Sequence, residues 1–138
     1  MVEKKNIKLT LKYDGRNYHG WQRQLNDISI QEVIEDKIQI MTREPVRLTA
    51  SGRTDAGVHA LEQVCNFFTL TNIPPDSMKN GLNSLLPDDI FIIEIDINNR
   101  NETRLNTHKF LSGLVSHNII LSVKDDGRSV YIFFDVYR

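Results

Sequence analysis

Hydrophobic residues recur along this chain with two periodicities, one typical of strands and the other of helices. Alternation of apolar and polar residues predicts two half-buried strands, and two further apolar runs predict a short and a longer strand. These four segments are 6–13, 90–97, 46–50 and 59–70. The first of them ends at Asp14-Gly15, a pair that favours a turn.

Two other segments carry apolar residues at intervals of three and four, which predicts amphipathic helices. The first covers about 30–41. The sequence Ser29–Glu32 at its start has the spacing of a capping box, and Glu44-Pro45 is expected to close it. The second helix is predicted at about 75–86, with a proline at an early helical position, where its missing N–H is not needed.

The order of these elements is β-α-β-β-α-β, which is typical of the ferredoxin-like arrangement of two helices on one face of an antiparallel sheet. Further along, 98–106 is polar and predicts a loop, and 107–115 predicts a short helical turn. Two alternating runs, 119–124 and 129–137, flank an Asp-Gly pair and predict a hairpin. We therefore expect an α+β fold, a ferredoxin-like sheet followed by a C-terminal hairpin.

The composition is that of an ordinary soluble domain. The chain has 138 residues, 40% of them hydrophobic and 25% charged, and no run approaches the roughly 18 apolar residues of a membrane span. The N-terminus lacks the apolar core of a signal peptide, so we expect a cytoplasmic protein without a membrane partner. The single cysteine, Cys65, is predicted to be a small buried hydrophobe.

Charge is unevenly distributed along the sequence. The net charge is only −1, but residues 1–53 hold 10 basic and 7 acidic residues, whereas the remainder holds 7 and 11. A local basic face can bind a phosphate backbone without a high overall pI. An ordinary solvated surface explains the same pattern, so charge alone does not decide between the two.

The run Ser51–Ala60 concentrates the candidate chemistry. Asp55 lies between two glycines and two residues after Arg53. Glycines allow positive φ and the close approach of a ligand, and arginine suits phosphates and stacking on bases. A neighbouring cation also favours the ionised carboxylate, which can act as a nucleophile or base. Taken alone, this sequence favours a tight turn with a structural ion pair, because most surface ion pairs carry no function.

As a whole, the ten-residue run Ser51–Ala60 resembles the signature of the TruA family of tRNA pseudouridine synthases. The block Lys12–Gln24 resembles that family's N-terminal motif, and the resemblance extends from about Ile7 to about Ile95. It implies an isomerase that acts on uridines in the anticodon arm of tRNA, works as a homodimer and needs neither a metal nor a redox cofactor.

Pseudouridine formation breaks the N-glycosidic bond, rotates the uracil and rejoins it through carbon. The target must leave the base stack, and an ionised carboxylate must act beside the ribose and uracil. By resemblance, Asp55 is the catalytic aspartate, and Arg53 assists flipping and fills the vacated space. Whether the aspartate attacks the base, attacks the sugar or abstracts a proton stays open.

Several other side chains are candidate RNA contacts, some through charge or hydrogen bonds and some through stacking. They are Lys12, Arg16, Tyr18, Trp21, Gln22, Arg23 and His59. Tyr18 and Trp21 are expected to be exposed for stacking, but Trp21 as a core residue and His59 as a hydrogen-bonded residue at a strand start are open alternatives. Thr54 is expected to hydrogen-bond within the turn, and Gly52 and Gly57 to shape it.

Other classes of site are not indicated. The four histidines and one cysteine have no metal-ligand spacing, so no metal site is expected, and there is no phosphate-binding Walker pattern. The acidic pairs at 88–89 and 125–126 are best explained as solvated turn residues.

The sequence departs from the family pattern after about residue 97. The expected tyrosine that packs against the uracil is absent from 98–104, and 108–137 resembles a later part of the family's second half. We expect residues 1–97 to be the half that carries the aspartate loop, which comprises residues 51–58 between two predicted strands. Residues 98–138 are expected to be a remnant of the other half. A natural short homologue, a truncated chain and a concatenation of segments remain three open explanations.

Three functions remain in competition. The leading one is pseudouridine synthesis with Asp55 as the essential group, at low activity unless another chain completes the site. The second is a non-catalytic RNA-binding domain of the same fold. A small-molecule sensor is a weaker third, because a fold by itself does not fix a function.

Overall fold

The computed structural model of this chain describes residues 3–98, 119–123 and 129–133. Its elements, in chain order, are β1 (Lys5–Tyr13), α1 (Ile30–Thr42), β2 (Thr49–Ala50), β3 (Ala60–Thr69), α2 (Pro75–Leu85), β4 (Ile90–Asn98), β5 (Ile119–Val123) and β6 (Ser129–Phe133), with one turn of 3₁₀ helix at Gly15–Asn17. The order β-α-β-β-α-β and the following hairpin are those that the sequence predicts.

The first four strands form one antiparallel sheet in the order β2-β3-β1-β4. β1 is one of the two central strands, and its Leu9 lies opposite Cys65 of β3 on one side and Ile95 of β4 on the other. β5 and β6 pair antiparallel in a second, two-stranded sheet. The α+β, ferredoxin-like prediction is confirmed.

Alternate residues of β1 form the centre of the core. Ile7, Leu9 and Leu11 are fully buried and share one apolar cluster with buried residues of both helices, among them Ile34 of α1 and Leu82 of α2. Period two on the strand and helical spacing on the helices place these side chains on facing surfaces. The core therefore lies between one face of the sheet and the two helices.

Helix α1 begins where the capping-box spacing predicts. The Ser29 hydroxyl accepts a hydrogen bond from the Glu32 N–H at 3.1 Å. Its other end differs from the prediction, because Arg43 closes the helix in the left-handed conformation, with φ of 60°, before Pro45 is reached. β2 is also shorter than the predicted 46–50.

Cys65 is fully buried at the centre of the sheet, as predicted, and burial raises the pKa of its thiol. Within the described ranges no helix has the length and apolar character needed to cross a membrane. The predicted helical turn at 107–115 and the Asp-Gly turn of the hairpin lie outside the described residues.

Candidate active site

Asp55 stands at the head of a tight turn in the loop between β2 and β3. The Val58 N–H donates to the Asp55 carbonyl at 3.1 Å, and Gly57 has φ of 77° at the third position, as a type II turn requires. The carboxylate side chain is exposed. The predicted role of Gly57 is confirmed, but Gly52 adopts no positive φ, and its carbonyl instead accepts from the Gln63 side chain at 2.7 Å.

The block 12–24 lies directly against this loop, so the two runs singled out in the sequence form one unit. Main-chain hydrogen bonds join them: the Trp21 N–H donates to the Thr54 carbonyl at 3.0 Å, and the Gly57 N–H donates to the Tyr18 carbonyl at 3.2 Å. The backbone on both sides of Asp55 is thus fixed to a segment more than thirty residues earlier in the chain.

Two glycines of the first block make this approach possible. Gly20 has φ of 83°, and a Cβ there would lie 2.5 Å from the Thr54 carbonyl oxygen. A Cβ on Gly15 would lie 1.9 Å from the carbonyl oxygen of Val58. Neither position has room for any side chain, so backbone packs on backbone on both sides of the turn.

A buried hydroxyl pair ties the same loop to β1. The Tyr13 hydroxyl lies 2.5 Å from the Thr54 hydroxyl, and the Tyr13 ring packs against Trp21 with ring centres 6.2 Å apart. Burial raises the pKa of Tyr13. The expected hydrogen bond of Thr54 within its own turn is therefore wrong: Thr54 is buried, and its hydroxyl contacts the sheet.

Tyr18 and Trp21 are both buried, at 7% and 2% exposure, so the expectation of exposed aromatic rings is wrong. The Tyr18 hydroxyl donates to the Asp89 carboxylate at 2.6 Å, and burial followed by this bond raises the pKa of Tyr18. Trp21 fits the open alternative of a core residue, and Tyr18 belongs to the same apolar cluster.

His59 precedes β3 and contacts the turn after β1. Its Nδ1 accepts a hydrogen bond from the Gly15 N–H at 2.9 Å, which leaves the proton of the neutral ring on Nε2. Asp14 Oδ1 lies 3.0 Å from the same nitrogen. This contact is an ion pair only when the imidazole is protonated. The structure places His59 where the hydrogen-bonded, strand-start alternative expects it.

Two of the predicted basic contacts, Arg16 and Arg23, have acidic neighbours, and those of Arg23 come from α1. Arg23 donates to the buried carboxylate of Glu35 at 3.0 Å, and Glu32 and Asp36 lie within 4.0 Å of its guanidinium. The Arg16 guanidinium lies 3.7 Å from the Asp14 carboxylate. The block 12–24 itself holds one acid, Asp14, and acids of α1 add negative charge beside it.

Comparison with known proteins decides the family. A sequence model described as tRNA pseudouridine synthase matches residues 10–104, well over half of the chain.

The chain belongs to that family.

Three relatives show the extent of the match, and each is named tRNA pseudouridine synthase A. The protein of Caldicellulosiruptor saccharolyticus is 47% identical over 112 residues, which are 78% of this chain and 46% of the relative. That of Geobacter sulfurreducens is 54% identical over 92 residues, 67% of this chain and 38% of the relative, and that of Clostridium kluyveri is 53% identical over 90, 65% and 37%. The chain spans less than half the length of these relatives.

In this member of the tRNA pseudouridine synthase family, Arg53 and Asp55 are exposed residues of the loop between β2 and β3. Lys12 and Gln22 are exposed as well. No group of three or more potential metal ligands occurs within the described ranges.

Sequence reasoning missed the residues that hold the loop in place. Tyr13, Gly15, Gly20 and Asp89 all contact either the aspartate loop or the block beneath it. Both glycines lie inside the block that resembles the family motif, and that resemblance was the available signal. Tyr13 lies in the same block, but it also fits the apolar alternation of β1, and that alternation does not distinguish its buried hydroxyl from an ordinary core side chain.

Proposed function

We propose that this chain carries the catalytic aspartate of a tRNA pseudouridine synthase that isomerises uridines in the anticodon arm. Asp55 acts as the nucleophile or base, and Arg53 occupies the space that the flipped uridine vacates. The observation that carries the proposal is an exposed carboxylate on a turn fixed from both sides by main-chain hydrogen bonds. A preformed position of this kind lowers the cost of aligning the reacting groups.

The reaction is an isomerisation and balances without a co-reactant. The bond between C1′ and N1 breaks, the uracil turns, and C5 bonds to C1′. The hydrogen on C5 leaves as a proton, and N1 gains one. A carboxylate beside the sugar and base is the one ionised group that this sequence of steps requires from the protein.

The remaining parts of the proposal concern the RNA and the assembly. Lys12, Arg16 and Gln22 are exposed, which supports the proposal that they contact the tRNA backbone. Arg23 and His59 belong to the same proposed face, with part of their hydrogen-bonding capacity already used by Glu35 and Gly15. We propose a homodimer in the cytoplasm as the working form.

The test is tritium release from tRNA labelled at C5 of uridine, with the purified chain, Asp55→Asn and a matched control, Glu62→Gln. Glu62 is an exposed carboxylate on β3, seven residues from Asp55. We expect the Asp55 variant to lose at least about a thousandfold in rate, as catalytic nucleophiles do, with unchanged urea unfolding and tRNA affinity. The control should keep its activity.

Turnover retained in Asp55→Asn would contradict the catalytic assignment. If the unmodified chain binds tRNA in a salt-dependent manner but releases no tritium, the alternative of a non-catalytic RNA-binding domain is favoured. If it does neither, both RNA functions are wrong for this chain.

A further inference from the structure

A shallow depression of about 400 Å³ opens beside the aspartate loop, in the size range of small-ligand sites. It is formed where β1 ends and β3 and β4 begin. Its lining residues are Lys12, Tyr13, Asp14, His59, Ala60, Leu61, Asp88, Asp89 and Phe91. The reaction described above uses none of these as a catalytic group.

The floor of the depression is apolar and unusually exposed. Phe91 is 44% exposed and Leu61 is 51% exposed, although both belong to strands of the main sheet. The Lys12 ammonium lies 5.3 Å from the centre of the Phe91 ring, and the two residues face each other across the β1–β4 ladder. The ammonium lies over one face of the Phe91 ring, so a base that stacks on that face takes the place of the ammonium, which then holds the phosphate of the same nucleotide.

Three of the lining residues are acidic, namely Asp14, Asp88 and Asp89. They do not rule out a phosphate beside Lys12, because two of the three carboxylates have other partners. Asp14 accepts from the Arg16 N–H at 3.0 Å, and Asp89 accepts from the Tyr18 hydroxyl at 2.6 Å. Within the described part of the chain, no side chain pairs with Asp88. A carboxylate of this kind can accept hydrogen bonds from the exocyclic amino group of a base.

We propose that this depression binds one unpaired nucleobase of the RNA, next to the uridine being modified. The base stacks on Phe91, its phosphate pairs with Lys12, and Asp88 selects a base with an exocyclic amino group, such as cytosine, over uracil. This inference rests on the proposed function in one respect: the proposed function identifies RNA as the molecule whose base fills the depression.

The position relative to Asp55 suits a neighbouring nucleotide. Asp55 and Val58 span a β-turn, so their Cα atoms are less than about 7 Å apart. His59, which lines the depression, follows by one residue, or about 3.8 Å. The depression therefore begins within about 11 Å of the aspartate backbone, which is close enough for a base one or two nucleotides from the target.

The first experiment measures binding without turnover. The isotope-labelled chain is titrated with CMP, UMP and ribose 5-phosphate, and amide signals are followed by NMR. We expect CMP to shift the signals of residues that line the depression, UMP to shift them less, and ribose 5-phosphate least. Asp88→Asn should reduce the difference between CMP and UMP. Equal shifts with ribose 5-phosphate would overturn the assignment of a base site.

The second experiment uses a short single-stranded RNA and its copy with one abasic position. Phe91→Ala should weaken binding of the intact RNA by at least about fivefold, because stacking contributes about 1–3 kcal/mol per base. Ile40→Ala is the control, since Ile40 is an exposed apolar residue on α1, at 59% against 44% for Phe91. The abasic RNA should bind Phe91→Ala and the unmodified chain alike. An unchanged affinity of Phe91→Ala for the intact RNA would overturn the proposal.

These readouts separate the two proposals. Absence of tritium release from the unmodified chain, or its retention in Asp55→Asn, with intact base binding contradicts the catalytic proposal alone. Normal tritium release with Phe91→Ala indistinguishable from the unmodified chain in both binding experiments contradicts the base site alone. Specific shifts with free CMP but equal binding of intact and abasic RNA would identify a site for free nucleotides, which also overturns the proposed occupant.

Discussion

At the scale of single residues, a buried hydroxyl links the chemistry to the core. Thr54 precedes the candidate catalytic aspartate, and its hydroxyl bonds to Tyr13 at the end of β1. The Thr54 side chain points inward and that of Asp55 is exposed, so one peptide separates the core from the solvent-facing carboxylate. Any rearrangement at Thr54 is therefore transmitted to Asp55 through very few bonds.

Replacing Thr54 tests this link. Thr54→Val keeps the shape but removes the hydroxyl, and we expect it to lower the free energy of unfolding by about 1 kcal/mol, the usual value for one lost hydrogen bond. Turnover should fall as the carboxylate loses its alignment. Thr54→Ser retains the hydroxyl and serves as the control. Urea unfolding and tritium release check both effects, and equal behaviour of the two variants would contradict the link.

The residue scale also shows what the sequence can and cannot predict. Asp55 and Gly57 are recognisable because their chemistry lies within one short run. Tyr18 and Trp21 were predicted to be exposed because their neighbours in sequence are polar and irregular. The Tyr18 hydroxyl bonds to Asp89 and the Trp21 N–H bonds to the Thr54 carbonyl, and no local pattern predicts these contacts with other parts of the chain.

At the scale of elements, the aspartate loop and the block 12–24 behave as one unit with α1. The Glu35 carboxylate of α1 accepts from the Leu48 N–H at 2.8 Å and from Arg23 at 3.0 Å. One buried acid thus holds the chain that enters β2 and the end of the first block. Periodicity predicts the strands and helices, but it does not predict these hydrogen bonds of Glu35. Glu35 lies among charged residues of α1, and the apolar spacing that predicts the helix gives no reason to expect a buried acid there.

Two glycine variants test the backbone contacts between the block 12–24 and the aspartate loop. Gly57→Ala should cost about 1–2 kcal/mol, since only the backbone conformation is strained and no atom lies within 4 Å of the new Cβ. Gly20→Ala carries the same strain and adds a contact of 2.5 Å with the Thr54 carbonyl. We expect a clearly larger loss of stability and of turnover for Gly20→Ala. Equal losses in thermal melts and activity assays would show that the contact relaxes freely.

At the scale of the whole molecule, the arrangement of the sheet followed from the order of the elements. Strands of this order with two helices have few compact arrangements, and the order β2-β3-β1-β4 is one of them. The order of the elements does not predict that the candidate active site lies at one end of this sheet. That position depends on close backbone contacts at Gly15 and Gly20, which sequence periodicity does not contain.

The whole molecule should lose stability at alkaline pH. Burial raises the pKa of Tyr13, Tyr18 and Cys65, so the folded chain keeps these protons while the unfolded chain releases them from about pH 9 to 10 upward. The unfolded state then binds fewer protons, and the free energy of unfolding falls as pH rises through that range. Below it, these three groups have no such effect.

Urea unfolding between pH 7 and 11 measures this loss. Tyr18→Phe is the control, because it removes one of the three groups and should make the alkaline decline shallower. A stability that stays constant up to pH 11, or a slope unchanged in Tyr18→Phe, would contradict the assignment.

The close contact between Gly20 and the Thr54 carbonyl has a consequence for how such sites can be detected in sequence alignments. Correlated substitution detects a contact when two side chains change together. Where a Cα without a side chain meets a carbonyl oxygen, as Gly20 meets Thr54, there is no pair of side chains to change. The contact that brings the aspartate loop to its position would leave no covariation signal, however strongly evolution maintains it.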